Sequence, residues 1–274
     1  MSNIRVLFIG DVVGAPGRMM FQKHIDRLRK EYKIDAVIVN GENSDGRGRG
    51  ITPRIVNFFK HNGANVVTSG NHIWANKEIY NYMATNQDLL RPANFPSDTP
   101  GVGVTTFSCG GYTIGVINLM GRVFMRDLVA CPFRTADSIL TYLKDKTNMV
   151  FVDMHAETTA EKIGLGYYLD GRVSGIVGTH THVQTADERI LPKGTAFITD
   201  LGMTGSLNSM LGMKKEAILH NFLTQMPVRF EVEESSPVIM TGVWIEVDPH
   251  SGKAVAIERV KVVDHEMIFD GSQQ

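Results

Sequence analysis

Apolar runs in this chain stop repeatedly at a residue able to bind a cation, most often one directly behind a glycine. Arg5–Gly10 is followed by Asp11, Ala36–Gly41 by Glu42 and Asn43, and Asn65–Gly70 by Asn71 and His72. Met149–Met154 runs into His155, and Val173–Gly178 leads through Thr179 to His180, Thr181 and His182. These runs are continuous rather than alternating, which is the pattern of strands covered on both faces. In an α/β sheet the carboxyl ends of the strands line one edge, and ligands bind there. Polar residues far apart in the chain are therefore expected to converge.

The segments between the runs read as helices. Met20, His24, Leu28 and Tyr32 recur near helical spacing. Thr52-Pro53 supplies a cap and a first-turn proline ahead of Ile55, Val56 and Phe59, and Asn62-Gly63 ends that helix. The first third is thus a βαβαβ unit, which right-handed crossovers make parallel. Val104–Phe107 and Thr113–Asn118, joined through Cys109-Gly110-Gly111, read as a hairpin. A helix is expected over Thr135–Lys144, and Thr158 and Glu161 have capping-box spacing at the start of the next. Gly194–Thr199, Val238–Val247 and Ala254–Val263 read as strands, and Met213–Phe222 as a helix. The strands beyond the first parallel unit imply two packed sheets rather than one open sheet. No linker or repeat divides the chain, so residues 1–274 are expected to form one domain.

Composition narrows the function. Basic and acidic residues number 28 and 29, and a net charge of −1 offers no overall field for a polyanion, which argues against general nucleic-acid binding. No run reaches the roughly 18 apolar residues of a membrane span, and the chain opens without a basic segment ahead of a long apolar one. Cys109 and Cys131 form no disulfide framework and have no metal-ligand spacing. A cytoplasmic protein is the expectation. The glycine-rich stretch Gly10–Gly17 lacks both the dinucleotide spacing and a Walker lysine-serine pair, so it implies neither a nicotinamide cofactor nor ATP.

Singly, each polar residue has a structural reading: Asp11 in a turn, Asn71-His72 as a helix cap, His155 in the core. Together, carboxylates, amides and imidazoles are the donors that zinc, manganese, iron and cobalt accept, whereas magnesium and calcium want mainly oxygen. His180 and His182 alternate on an extended segment and so point the same way. The set exceeds what one tetrahedral ion takes, and it suits two ions roughly 3.5–4 Å apart sharing a carboxylate. Such a pair neutralises phosphoryl charge and holds a hydroxide nucleophile, and a remaining imidazole can protonate the leaving oxygen. Arg47 and Arg49 lie in a glycine-rich loop just beyond Glu42-Asn43, where they can meet a substrate phosphate or simply face solvent.

Read in order, GDVVG at Gly10–Gly14, NGEN at Asn40–Asn43, SGNHIW at Ser69–Trp74, DMHAE at Asp153–Glu157 and GTHTHVQTAD at Gly178–Asp187 resemble the calcineurin-like metallophosphoesterases. With CPFRTAD at Cys131–Asp137 and ITDLGMTG at Ile198–Gly205, the chain is similar to their bacterial YmdB-type branch over nearly its whole length. The resemblance implies an α/β two-sheet sandwich of mixed sheets flanked by helices. It implies Asp11 and His182 as ligands of a first metal, Glu42 as the bridge, and Asn71, His155 and His180 as ligands of a second. His72 matches the catalytic histidine. The superfamily's usual Asp-x-His is broken by Val13, and Asn43 matches the residue that takes that histidine's place. An oxygen donor there favours iron, with manganese or zinc also possible. Ile73 stands where the superfamily usually has an acidic residue behind the catalytic histidine.

The activity implied is hydrolysis of small phosphodiesters, notably 2′,3′-cyclic nucleotides such as cyclic AMP, by a protein that forms a dimer or tetramer. A phosphomonoesterase or nucleotidase with the same centre, or a metal-binding regulatory protein, are the alternatives.

Overall fold

A computed structural model describes residues 3–269, and its elements follow the apolar runs. β1 (Ile4–Ile9) leads through the short β2 (Asp11–Val12) into α1 (Gly14–Glu31). Then come β3 (Ala36–Asn40), α2 (Pro53–His61), β4 (Val66–Thr68) and α3 (Glu78–Thr85). The expected hairpin is β5 (Val104–Cys109) and β6 (Tyr112–Met120), followed by α4 (Pro132–Leu143), β7 (Met149–His155), α5 (Thr159–Leu169) and β8 (Gly175–Thr179). The remainder holds β9 (Arg189–Ile190), β10 (Ala196–Ile198), β11 (Met203–Ser206), α6 (Lys215–Thr224), β12 (Val238–Val247) and β13 (Ala254–Asp264).

The strands form two mixed sheets. The first runs β2-β11-β12-β1-β3-β4, with β13 also paired to β12, and the second runs β5-β6-β7-β8-β10-β9. β1, β3 and β4 are parallel, as the βαβαβ reading requires, with Phe8 opposite Ile38 and Ile38 opposite Val66. β12 enters antiparallel on the other side of β1, so the amino-terminal strand lies inside the sheet.

The two-residue period of a strand divides the core. Val6 and Phe8 face inward and join Phe151, Val177 and Ile198 of the second sheet in the layer between the sheets. The Phe8 and Phe151 rings meet there at 5.4 Å. Leu7 and Ile9 face outward onto Phe21, Ile25 and Phe59 of α1 and α2. On the far side Val150, Val152 and Ile176 pack under Ala136, Leu143, Leu165 and Leu169 of α4 and α5. The result is a helix–sheet–sheet–helix sandwich, and the carboxyl ends of parallel strands from both sheets open at one end of it.

Local signals fare unevenly. Thr52 caps α2 as expected, accepting from Ile55 N–H at 3.3 Å. The expected capping box at Thr158 does not form: Thr158 makes no side-chain cap. Glu161 instead reaches the loop after β6, accepting from the backbone N–H of Arg122 at 3.0 Å and of Val123 at 3.3 Å. Those loop amides have no strand partner, and the carboxylate satisfies them. α4 starts three residues before Thr135 because Pro132 fits the first helical turn. Met213 belongs to bridges with Met210 and Val232 rather than to α6. No helix among the described residues is long and apolar enough to cross a membrane.

Candidate active site

Each sheet brings half of the site. From the first, Asp11 follows β1, Glu42 and Asn43 follow β3, and Asn71 and His72 follow β4. From the second, His155 ends β7, and His180 and His182 follow β8. The expected edge is therefore the seam between two sheets. Asp11, Glu42 and His155 are fully buried, and Asn43 nearly so.

The contacts knit all eight residues together. Asp11 Oδ2 accepts from His180 N–H at 3.1 Å, and Glu42 Oε2 accepts from His72 N–H at 3.2 Å. Glu42 Oε1 lies 3.3 Å from both His155 Nε2 and His72 Nδ1. His155 Nε2 is 3.0 Å from Asn71 Oδ1 and 3.1 Å from His180 Nδ1. Asn43 spans two rings, its Oδ1 2.8 Å from His72 Nδ1 and its Nδ2 2.9 Å from His182 Nε2.

The three imidazoles beside Asp11 and Glu42 are each oriented from behind. His155 Nδ1 is 2.9 Å from Thr179 Oγ1, whose hydroxyl donates to Asp153 Oδ1 at 2.7 Å. His180 Nε2 is 3.1 Å from Glu157 Oε2, and His182 Nδ1 is 3.0 Å from Leu211 O. Each ring thus spends one nitrogen on a protein acceptor and turns the other into the cluster, the arrangement of metal-bound histidines. Sequence reasoning assigned no role to Asp153, Thr179, Asn40 or Glu157. Asp153 is buried and accepts from Asn40 Nδ2 at 3.0 Å as well as from Thr68 and Thr179, so it sets His155 from one step away. Its presence in the DMHAE motif was the available signal.

Electrostatics point to a cation. Burial lifts the Asp11 carboxyl to about 6 against the pull of His182 and His155. Burial works the same way on Glu42, but His155 and His72 outweigh it and hold that carboxyl well below its usual range. In His155 burial opposes the charge, yet Glu42, Asp11 and Asp153 raise the imidazole to about 9. His180 goes the other way, to about 3, through burial and then the neighbouring His155 charge. Among protein groups alone, the His155 proton does the work of a cation between Glu42, Asn71 and His180. Asp11 Oδ1 and Glu42 Oε1 are buried without a hydrogen-bond partner; the 3.3 Å approaches to Glu42 are poorly aligned. Buried orphan acceptors cost about 1–3 kcal/mol each, which a bound cation would relieve. Ligand atoms of Glu42, His155 and His180 all lie within 4.8 Å of one another. The donor set fits metal.

His72 is set apart. Its Nδ1 is backed by Asn43 and Glu42, its side chain is 28% exposed, and it lines an open cleft. Asn43 thereby supports the ring, whereas Ile73 beside it is buried in the apolar core. The cleft holds about 400 Å³, and Glu42, Asn43, His72, His180, His182 and Arg49 are among its lining residues. Arg47 is tied back to Asp45 and Asn76, so of the two loop arginines only Arg49 borders the cleft.

Comparison with known proteins gives the family. Residues 7–260 match the profile of the YmdB-like protein family. The chain is 48% identical over 267 residues to the 2′,3′-cyclic-nucleotide 2′-phosphodiesterase of Bacillus subtilis, covering 97% of this chain and 100% of that one. The crystal structure of a phosphatase from Mycoplasma pneumoniae superposes with a TM-score of 0.90 at 35% identity, covering 97% of this chain and 95% of the other. A protein described as a 5′-nucleotidase from Staphylococcus aureus shares the fold, with a TM-score of 0.62 at 17% identity over 99% of this chain and 57% of its own length. By profile, by identity along nearly its whole length and by fold, this chain belongs to the YmdB-like protein family, within the metallophosphoesterase fold.

Proposed function

We infer that the chain is a metal-dependent phosphodiesterase, one domain over residues 1–274, that hydrolyses small phosphodiesters such as 2′,3′-cyclic AMP at a two-metal centre. The observation that carries this is the set of three imidazoles, each held from behind with its other nitrogen turned into the cluster, beside the buried unpartnered oxygens Asp11 Oδ1 and Glu42 Oε1. Asp11, Asn43 and His182 would hold one ion, Asn71, His155 and His180 the other, and Glu42 would bridge them. Two ions so held supply charge neutralisation for the phosphoryl oxygens and a water acidic enough to attack at neutral pH.

The chain's own part is positioning and proton transfer. His72 Nδ1 is engaged by Asn43, which leaves Nε2 for the cleft. Water adds to phosphorus, one ester bond breaks, and the departing ribose oxygen takes the His72 Nε2 proton. The proton released by the water returns His72 to its protonated form, and the product is a nucleoside monophosphate. An oxygen donor from Asn43 in place of an imidazole favours iron or manganese over zinc, and iron is the ion proposed. The protein is proposed to work in the cytoplasm as a dimer or tetramer.

The test is hydrolysis of 2′,3′-cyclic AMP by metal-loaded protein, with metal counted on the same sample and AMP offered as a monoester control. Turnover of the diester, abolished by chelation, supports the reading; turnover of AMP alone replaces it with the phosphomonoesterase. His72→Ala should keep both ions and lose about 10²–10⁴ in kcat, whereas Glu42→Ala should lose both ions.

A further inference from the structure

The apolar part of the cleft lining contributes no side chain to the chemistry above. It is made by the excursion between β11 and β12, which contributes Met210, Leu211, Met213, Ile218, Phe222 and Phe230. This arm is built in. Lys214 N–H donates to Glu231 O at 2.9 Å and Glu233 N–H to Gly212 O at 2.9 Å, closing its neck. Met213 packs against Gly48, where any side chain would collide with its methyl group. Leu211 O is the acceptor that orients His182, so the apolar wall and the metal cluster share one backbone link.

Two aromatic rings stand on this wall in the open, Phe222 at 64% exposure and Phe230 at 39%. Among the described residues neither takes part in an aromatic pair, although such pairs occur elsewhere. Arg49 borders the same space and has no ion-pair partner among the described residues. One cleft thus offers cation-binding donors, a guanidinium and unstacked rings. A ligand that uses all three carries an anionic phosphate and a flat apolar face. A volume of about 400 Å³ suits a mononucleotide rather than a strand.

We propose that Phe222 and Phe230 form a nucleobase platform that makes this site selective for base-bearing phosphodiesters over sugar or alkyl phosphodiesters of the same ring strain. The proposal rests on the phosphodiesterase reading and adds the determinant of its substrate class. Stacking of a base on an aromatic side chain is worth roughly five- to hundredfold in affinity. The rings accept any base, so purines exceed pyrimidines only through their larger faces.

The experiment compares 2′,3′-cyclic AMP with methyl riboside 2,3-cyclic phosphate, in which a methyl group replaces the base, on metal-loaded protein. Wild type should favour the nucleotide at least tenfold in kcat/KM, mainly through KM. Phe222→Ala and Phe230→Ala should each cut that ratio to about threefold or less, and Phe222→Trp should restore it. Equal rates on both substrates in wild type, or variants that lose both rates in parallel, would overturn the platform. So would a change in sedimentation with the ratio intact, which would make the wall an interface between copies. Failure of the parent reading looks different: neither diester is hydrolysed while two ions are bound. Equilibrium binding of AMP against ribose 5-phosphate then still decides the platform, since only a base-binding wall prefers AMP and loses that preference in Phe222→Ala.

Discussion

Lys162 Nζ lies 2.7 Å from Asp200 Oδ2, and both side chains are only 1% exposed. The pair touches the turn between His180 and His182 through the backbone of Thr181. Asp200 Oδ2 also accepts from Thr181 N–H at 3.2 Å, and Oδ1 accepts from Gly202 N–H at 2.8 Å. Asp200 therefore pins the turn that carries His180 and His182, residues with φ of 100° and 64°. Non-glycine residues in that region cost of order 1–3 kcal/mol and persist only when their surroundings enforce them. Lys162→Met should leave a buried carboxylate unpaired and lower stability by about 3–5 kcal/mol. Urea unfolding measures that loss. Metal titration of the still-folded variant should show weakened binding, because Asp200, which pins the turn, has lost its buried counter-ion.

A second prediction concerns Gly70, just before Asn71. A Cβ there would collide with Glu42 Oε2 and His155 Nε2 together. Both atoms are rigid parts of the cluster, so neither can yield without leaving its position. Gly70→Ala should abolish binding of at least one ion while the near-native circular dichroism of the sandwich survives. Full metal content in this variant would show that the cluster tolerates a shift the geometry excludes.

How much of this was legible in the sequence follows from what is local. The apolar runs and the donors behind them are local, so the strands and all eight site residues were readable as a convergent set. Strand order is not local: nothing in Val238–Val247 announces that β12 lies beside β1, between it and β11. Partner choice at long range was equally hidden. Glu161 has capping-box spacing yet serves a loop some 40 residues away in sequence, and Lys162 reads as an ordinary helix-surface cation until Asp200 is seen behind it. The short strands β2 and β11 have too few residues to show a period.

A third prediction follows from Asp264, where α1 meets β13. Lys23 Nζ and His24 Nε2 lie 2.6 and 2.8 Å from its Oδ2. The Lys23 hydrogen bond, opposed by burial and helped by His24, pulls the carboxyl down to about 2 from 3.8. A depressed carboxyl stabilises the fold above the unfolded value and loses that contribution as pH falls through the folded one. Asp264→Asn should cost about 1–2 kcal/mol at pH 7. It should also flatten the stability curve between about pH 4 and pH 2, as read by unfolding at a series of pH values.

The last prediction couples metal to protons. In the apoprotein His155 holds a proton up to about pH 9, with Glu42 and Asp11 outweighing its burial. A cation at Nε2 must displace that proton. Between about pH 6.5 and 9, metal affinity should therefore rise close to tenfold per pH unit. Asp11, lifted by burial to about 6, begins to hold a second proton below that value. There the dependence should steepen toward a hundredfold per unit. Above pH 9 neither group is protonated, and affinity should level off. Calorimetric titration in buffers of different ionisation enthalpy counts the protons released directly: one near pH 7.5 and close to two near pH 5. His155→Gln should remove the release at pH 7.5. A wild-type titration with no proton release at that pH would mean that Nε2 is not where the cation goes.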